Sequence, residues 1–361
     1  MGASQATTFK VPPTEHETAA HKSEYSSSGP FCSTDKTFVA DIRMSKKGAA
    51  ALRPCTVGQK FKEAAQKCPY GNAYKIEKPC PAFGKEPRVL PVDKWFTVTY
   101  EKYYTDCRRV ARAFLDLGIK RFDAVNIYGF NSPEWFMGTF GAILAGGVVA
   151  GVYPTDTPEQ VYFKARHSGS SIALVEGDKQ AKIFLDYAEK LPKLKAIVQW
   201  TGEVEPRKVI QRADGTTVRH LTFTDLIANE PNHSESLLDD VMNSQKPGHV
   251  CAYIYTSGTT GNPKAVMITH DNILFEASTF FSMGHEYAGI GKTPGRIISY
   301  LPLSHVAGMM VDMIGPMMCA AEFGNPITVH FARPYVSFSF SLSLSRIHTR
   351  QRDTHQHQLQ I

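Results

Sequence analysis

The sequence predicts an α/β fold of mostly parallel sheets flanked by helices. From Thr99 to Trp200, short β-branched apolar runs alternate with amphipathic helical runs. That alternation implies strands joined by right-handed crossovers, with helices on both faces of the sheet. Helix boundaries are marked in the residues themselves, by Ser or Thr before a run and Gly after it. With 361 residues, 42% of them hydrophobic and 20% charged, there is enough apolar material for a sizeable core and no bias toward global disorder.

The first 52 residues mix Ser, Thr, Lys, Glu and Gly with few apolar clusters and predict a mobile leader. A folded body is expected over residues 53–334. It opens with an amphipathic helix over Val57–Cys68 that turns Phe61, Ala64 and Ala65 inward, followed by a proline-rich connector, Lys78–Pro91. Thr99 caps a helix whose inner face is Tyr103, Cys107, Val110, Ala111, Phe114 and Leu117, ended by Gly118. A strand over Ala124–Tyr128 follows, and Ser132-Pro133 starts the next helix.

The alternation continues through a strand over Val148–Tyr153, a helix begun by the capping box Thr157–Gln160, and a strand over Ser171–Val175. A helix over Lys179–Lys190 and a strand over Leu194–Trp200 complete it. Lys208–His220 reads as a surface hairpin around Asp214-Gly215, outside the alternation. Pro231–Gly248 reads as a polar approach to a short buried strand, Val250–Tyr255. Thr269 can cap a helix with Ile273, Leu274, Ala277, Phe280 and Phe281 inside. Ile297–Leu301 is a further strand, which places Pro302–His305 at its carboxyl end, where open α/β sheets bind ligands.

Trp135–Thr155 carries no charge and approaches the length of a membrane span. Gly146-Gly147 interrupts it, so two buried elements are expected, with a span as the alternative. The methionines Met309, Met310, Met313, Met317 and Met318 fit a core helix, with an acyl-channel lining as the alternative. Residues 335–361 alternate Ser with Phe or Leu and then turn to His, Thr, Gln and Arg. This tail is expected to be low-complexity and foreign to the fold, as from a changed reading frame or alternative exon.

The net charge of +6 is spread along the chain without a dense Lys/Arg block, which argues against nucleic acid as a partner. Seven scattered cysteines show no metal-ligand spacing and suit a reducing compartment. Met1–Lys10 lacks the apolar core of a secretory signal.

The stretch Thr256–Lys264, Thr-Ser-Gly-Thr-Thr-Gly-Asn-Pro-Lys, follows the buried strand directly. Gly258 and Gly261 let successive backbone N–H groups converge. Thr256, Ser257, Thr259 and Thr260 add hydroxyl donors, and Lys264 adds a positive charge. An ordinary polar turn has no need of that combination in that order; a polyphosphate does. Gly291–Thr293 lacks the first glycine of the other common phosphate loop and reads as an exposed loop.

Tyr255–Lys264 resembles the phosphate-binding signature of the adenylate-forming superfamily, and Tyr300–His305 resembles the next motif of its acyl-CoA synthetase branch. Gly129–Phe136 and Ala145–Gly147 resemble the bubblegum-type long-chain acyl-CoA synthetases. The likeness runs from about Val57 to about Val329. One departure is Ala265, where the family carries glycine, which puts a methyl group where the backbone approaches nucleotide.

The resemblance implies that residues 53–334 are part of an AMP-binding domain, with ATP, Mg2+ and CoA used to activate a long-chain fatty acid. The fatty-acid carboxylate attacks the α-phosphate of ATP, and the acyl group then passes to the CoA sulfur. Thr256, Ser257, Gly258, Thr259, Thr260, Gly261 and Lys264 bind nucleotide on this reading. It also puts His305 beside the carboxylate; the residue pattern alone favours a structural histidine at a helix start.

No Tyr-Gly-x-Thr-Glu or Thr-Gly-Asp motif follows the loop, and no lysine follows Lys292. In the family such a lysine stabilises the adenylation transition state from a C-terminal domain. The expectation is therefore an N-terminal part with impaired activity, or else a non-catalytic module that binds nucleotide or acyl ligand. A cytoplasmic protein is expected, with room for peripheral attachment to intracellular membranes.

Overall fold

The computed structural model describes residues 33–42, 53–77, 90–205, 208–228, 231–256 and 263–332. Helix α1 (Val57–Lys67) leads into strands β1 (Asn72–Ile76) and β2 (Phe96–Thr99), then α2 (Tyr100–Asp116) and β3 (Ala124–Tyr128). Next come α3 (Pro133–Leu144), β4 (Val148–Val152), α4 (Pro158–Ser168), β5 (Ser170–Val175), α5 (Asp178–Asp186) and β6 (Ala196–Gln199). A hairpin of β7 (Lys208–Gln211) and β8 (Thr217–Thr222) precedes α6 (Phe223–Ala228) and α7 (Glu235–Asn243). Strands β9 (Val250–Thr256) and β10 (Lys264–Thr269) flank the glycine-rich loop. Helix α8 (His270–Ala288), β11 (Gly295–Ser299), α9 (Val306–Phe323) and β12 (Ile327–Phe331) complete the order.

The marked boundaries act as caps. Thr56 accepts from Gln59 N–H, Thr99 from Lys102, Ser132 from Trp135, Thr157 from Gln160 and Thr269 from Asn272. Each cap satisfies a backbone donor that the helix leaves open, worth about 1 kcal/mol.

Eight strands form the large sheet in the order β10-β9-β4-β3-β5-β6-β8-β7. It is parallel from β9 to β8, and antiparallel strands finish both edges. The four-stranded sheet runs β11-β12-β1-β2, with β2 antiparallel and the others parallel. Mostly parallel sheets flanked by helices are therefore what the chain forms.

An aromatic cluster joins the two sheets through the helices between them. Phe61 of α1 meets Phe140 of α3 at 4.5 Å between centroids and Tyr103 of α2 at 4.9 Å. On the other side, Phe136 meets Phe331 of β12 at 4.8 Å, and Phe331 meets Tyr74 of β1 at 5.7 Å. All six rings are buried. Each buried ring contributes on the order of 2–3 kcal/mol by leaving water, and favourable ring pairing adds about 1 kcal/mol per pair.

Several expectations are corrected. The hairpin around Asp214-Gly215 does not stand apart: β8 pairs in parallel with β6 and extends the large sheet. The polar approach contains α7, capped by Ser234 and held by buried Leu238 and Met242; Leu237, Leu238, Val241 and Met242 recur at helical spacing, but within a short run bounded by polar residues. Strands β1, β2 and β12 were not anticipated. Phe280, placed on the inner face of α8, is 48% exposed. Within the presumed leader, residues 33–42 lie against the fold: Ala40 N–H donates to Gly248 O, and Lys36 Nζ donates to Phe122 O at 2.8 Å. The rest of residues 1–52, the connector residues 78–89 and the tail 335–361 lie outside the described residues.

The uncharged stretch from Trp135 resolves into buried α3 and buried β4, separated by Gly146 at φ +77°, a left-handed turn that favours glycine. Among the described residues, Val306–Phe323 is long and apolar enough to cross a membrane, but 67% of it is buried inside the protein. Met309, Met313, Met317 and Met318 are each at most 3% exposed, which is the core-helix outcome.

Candidate functional site

Val149 of β4 lies opposite Ala252 of β9, and Ala150 opposite Tyr253. The carboxyl ends of these parallel strands therefore lie side by side, about 4.8 Å apart. From the end of β9 the chain loops out and returns as β10, with Lys264 paired to Thr256 and Ala265 to Tyr255. Both Thr256 and Lys264 are exposed, and they form the mouth of the hairpin. Ser257, Gly258, Thr259, Thr260 and Gly261 lie outside the described residues.

Strand alternation sets the direction of each side chain at this mouth. Ala265 packs with Tyr253, Tyr255 and Met267 in an apolar cluster that also holds Phe163. Lys264 projects from the opposite face. The Ala265 methyl group therefore lies in the apolar layer on the other side of the strand from Lys264.

Beneath the mouth lies an ion pair that the sequence did not signal. Lys164 of α4, 2% exposed, donates to Asp156 in the loop after β4. Its ammonium stands 4.8 Å from the Tyr153 ring centroid and 5.5 Å from that of Tyr255. Burial pulls the Lys164 pKa down, and Asp156 opposes that shift. Asp156 also accepts from Tyr153 N–H at 2.9 Å, so one carboxylate holds both the loop and the helix.

The second motif reaches the same edge from the small sheet. After β11, the turn Pro302–His305 is closed by His305 N–H donating to Pro302 O at 3.0 Å. Ser304 lies over Gly151 near the end of β4. Its hydroxyl is buried and has no hydrogen-bond partner among the described residues. The exposed His305 is the N-cap of α9, and its Nδ1 accepts from Ala307 N–H at 3.1 Å. The structural role considered for His305 is thus present. It also fixes the tautomer: with Nδ1 accepting, the neutral ring carries its proton on the outward Nε2. A histidine held this way presents an N–H donor suited to a carboxylate.

Behind the turn, Asn131 Nδ2 donates to Leu301 O at 2.8 Å and to Ser299 Oγ at 2.9 Å. Ser299 Oγ in turn donates to Asp312 Oδ2 at 2.7 Å. Asp312 is 2% exposed, and burial raises its carboxyl to about 6 against the lowering effect of Ser299. Its one sequence signal is that it is the only charged residue between Val306 and Ala321.

A cleft of about 800 Å3 runs along the edge strand β10. Lys264, Met267, Tyr253, Arg166 and Lys193 line it, whereas His305 does not. Lys264 and His305 therefore do not share this cleft. Among the described residues no group of three or more His, Cys, Asp or Glu side chains could hold a metal ion.

A sequence model of the AMP-binding enzymes matches residues 77–334. The chain belongs to the AMP-binding enzyme family. Among its relatives, it is 38% identical over 296 residues to the long-chain-fatty-acid–CoA ligase ACSBG2 of Gallus gallus, covering 81% of this chain and 35% of that protein. Against the long-chain-fatty-acid–CoA ligase ACSBG1 of Mus musculus, the identity is 36% over 286 residues, covering 78% and 36%. This family member spans about a third of the length of those relatives.

Solved structures agree on the fold. The anthranilate CoA ligase AuaEII, in complex with anthranoyl-AMP, superposes with a TM-score of 0.60 at 17% identity, over 78% of this chain and 46% of that one. A fatty acyl CoA synthetase of Mycobacterium tuberculosis gives 0.55 at 17%, over 78% and 45%.

Proposed function

We propose that this chain carries the nucleotide-phosphate and carboxylate-activating part of a long-chain fatty acid:CoA ligase. The carrying observation is that Lys264 begins β10 opposite Thr256 at the end of β9, while the turn bearing His305 packs through Ser304 over Gly151 of β4, the strand beside β9. The names of the bubblegum-type relatives support the acyl class.

On this reading the fatty-acid carboxylate oxygen bonds to the α-phosphorus of ATP while the bond to pyrophosphate breaks. The CoA thiol then takes the acyl group from the mixed anhydride, releasing AMP and a proton. The protein's part is placement and charge stabilisation. Lys264, Thr256 and the hairpin donors Ser257, Gly258, Thr259, Thr260 and Gly261 hold the β- and γ-phosphates and keep the leaving group in line. His305 Nε2–H donates to the carboxylate. Lys264 is free to do this, since its side chain is exposed and its backbone alone is committed to β10. Magnesium fits as a companion of the triphosphate, supplying charge neutralisation on its oxygens.

The five described cysteines are free thiols, which supports a reducing, cytoplasmic setting. A long-chain acyl substrate supports peripheral contact with membranes. Palmitate-dependent ATP–pyrophosphate exchange, run beside calorimetric titration of ATP, tests the proposal. Exchange supports the ligase reading. Nucleotide binding without exchange would instead make the chain a non-catalytic nucleotide-binding module, and the absence of both would sink the site.

A further inference from the structure

The motif Gly129–Phe136 contributes no residue to the mouth of the site, yet its Asn131 reaches across to the small sheet. Asn131 follows β3 in the large sheet, Ser299 ends β11, and Asp312 sits in α9. Their side chains form one chain of hydrogen bonds: Asn131 to Ser299 at 2.9 Å and Ser299 to Asp312 at 2.7 Å, with a branch from Asn131 to Leu301 O at 2.8 Å. Ser299 is fully buried and Asp312 is 2% exposed. Leu301 begins the turn that ends at His305.

Asp312 also lies in a locally widened stretch of α9. Met309–Ile314 is π-helical, whereas the flanking segments are α-helical. Such a widening inserts a residue and changes the direction of the side chains around it, and it is frequent at functional sites. Here it sets the one charged residue between Val306 and Ala321 facing Ser299. A buried acid with so little polar company is costly to keep, and a core helix could be built from methionine and alanine alone.

We infer that Asp312 is a positioning residue for His305: through Ser299 and Asn131 it fixes the turn Leu301–His305 across the joint between the two sheets. This rests on the ligase reading for the role of His305, but the geometry it claims can be read separately. When the chain is intact, the turn is held from β3, from β11 and from α9 at once. When the acceptor at 312 is lost, Ser299 is free to rotate and Asn131 keeps only its bond to Leu301 O; the loosened turn then no longer holds His305 Nδ1 steadily on Ala307 N–H, and the imidazole is no longer held in one tautomer.

The experiment compares Asp312→Leu, Ser299→Ala and the isosteric Asp312→Asn, whose amide oxygen can still accept from Ser299. Long-range proton–nitrogen spectra report the His305 imidazole, assigned with His305→Gln. The wild type is expected to show a single Nε2–H tautomer. Asp312→Leu and Ser299→Ala are expected to show a mixed one, and Asp312→Asn to restore the wild-type pattern. In palmitate-dependent exchange, the first two are expected to fall about tenfold in rate with half-saturating ATP unchanged, and Asp312→Asn to recover.

An unchanged imidazole spectrum in the folded variants overturns the inference, as does failure of Asp312→Asn to restore it. Should Asp312→Leu not fold, Ser299→Ala removes the same tie with a smaller change and decides alone. Lack of exchange in the wild type would count against the ligase reading, while the spectrum would still decide the positioning.

Discussion

Ser304 lies so close over Gly151 that a β-carbon there would stand 2.7 Å from Ser304 Cα. The turn bearing His305 therefore docks on the large sheet only because residue 151 has no side chain. Gly151→Ala should lift the turn and strain the strand end, costing about 1–3 kcal/mol as overpacking does. Urea denaturation should show the lower midpoint, and exchange should fall with it. A variant as stable and active as the parent would contradict the close docking.

Lys264 is exposed, and its side chain lies on the opposite side of β10 from the apolar layer. Lys264→Ala should therefore leave the melting temperature within a degree or two, and weaken ATP binding about tenfold or more, as loss of a charge-assisted phosphate contact does. Calorimetry on the folded variant is the check. Unaltered affinity would remove the hairpin from the nucleotide site.

His305 has two separable duties. His305→Asn keeps a side-chain acceptor for Ala307 N–H and should hold its stability, whereas His305→Ala should lose about 1 kcal/mol with the cap. Both should lose at least tenfold in palmitate-dependent exchange. If only the alanine variant loses activity, the histidine serves the helix and not the substrate.

His270 and His249 predict acid sensitivity. Burial, aided by His249 and Arg121, holds His270 down at about 3; burial, aided by Arg121 and Lys246, holds His249 at about 4. Both are neutral in the fold and take up a proton more readily once unfolded, near 6.5. Their contribution is complete above that value and declines as the pH falls through the window below it. At pH 5 the loss is about 2 kcal/mol for each imidazole. His270 Nδ1 accepts from Val57 N–H, a duty an asparagine oxygen can take over. Stability measured by urea between pH 7 and pH 5 should therefore fall less steeply in His270→Asn; parallel slopes would refute this.

Lys164 and Asp156 are 3% and 11% exposed in their side chains. Removing one partner leaves the other charge buried, so Lys164→Met should cost about 3–5 kcal/mol. Adding Asp156→Asn should recover part of that. A single variant with unchanged thermal stability would argue that water reaches the pair.

Much of the large sheet could be read from the chain, because its central strands β3, β4, β5, β6 and β9 are buried on both faces and its helices carry their caps in plain sight. The strand ends that carry the glycine-rich stretch and the turn at His305 could also be placed, because apolar runs lead directly into both motifs. The small sheet was not. The alternation in Asn72–Ile76 is short, and its pairing with Ile327–Phe331 depends on residues far away in sequence. Helix α7 hid behind its polar face. The partnership of Asn131, Ser299 and Asp312 could not be inferred either, since three elements must fold together before the side chains meet. Lys164 gave no sign because an isolated lysine in an amphipathic helix normally reaches solvent.

Strand β1 lies between β2 and β12, with Tyr74 opposite Val329. The sheet thus pairs a segment made early in synthesis with one made almost last among those described. Until Phe331 has emerged, Tyr74 and Phe136 lack one of the rings that cover them, and one flank of β1 offers its open backbone to any passing strand. Such delayed closure lengthens the vulnerable interval on the ribosome, when a chaperone or a wrong neighbour can claim that edge.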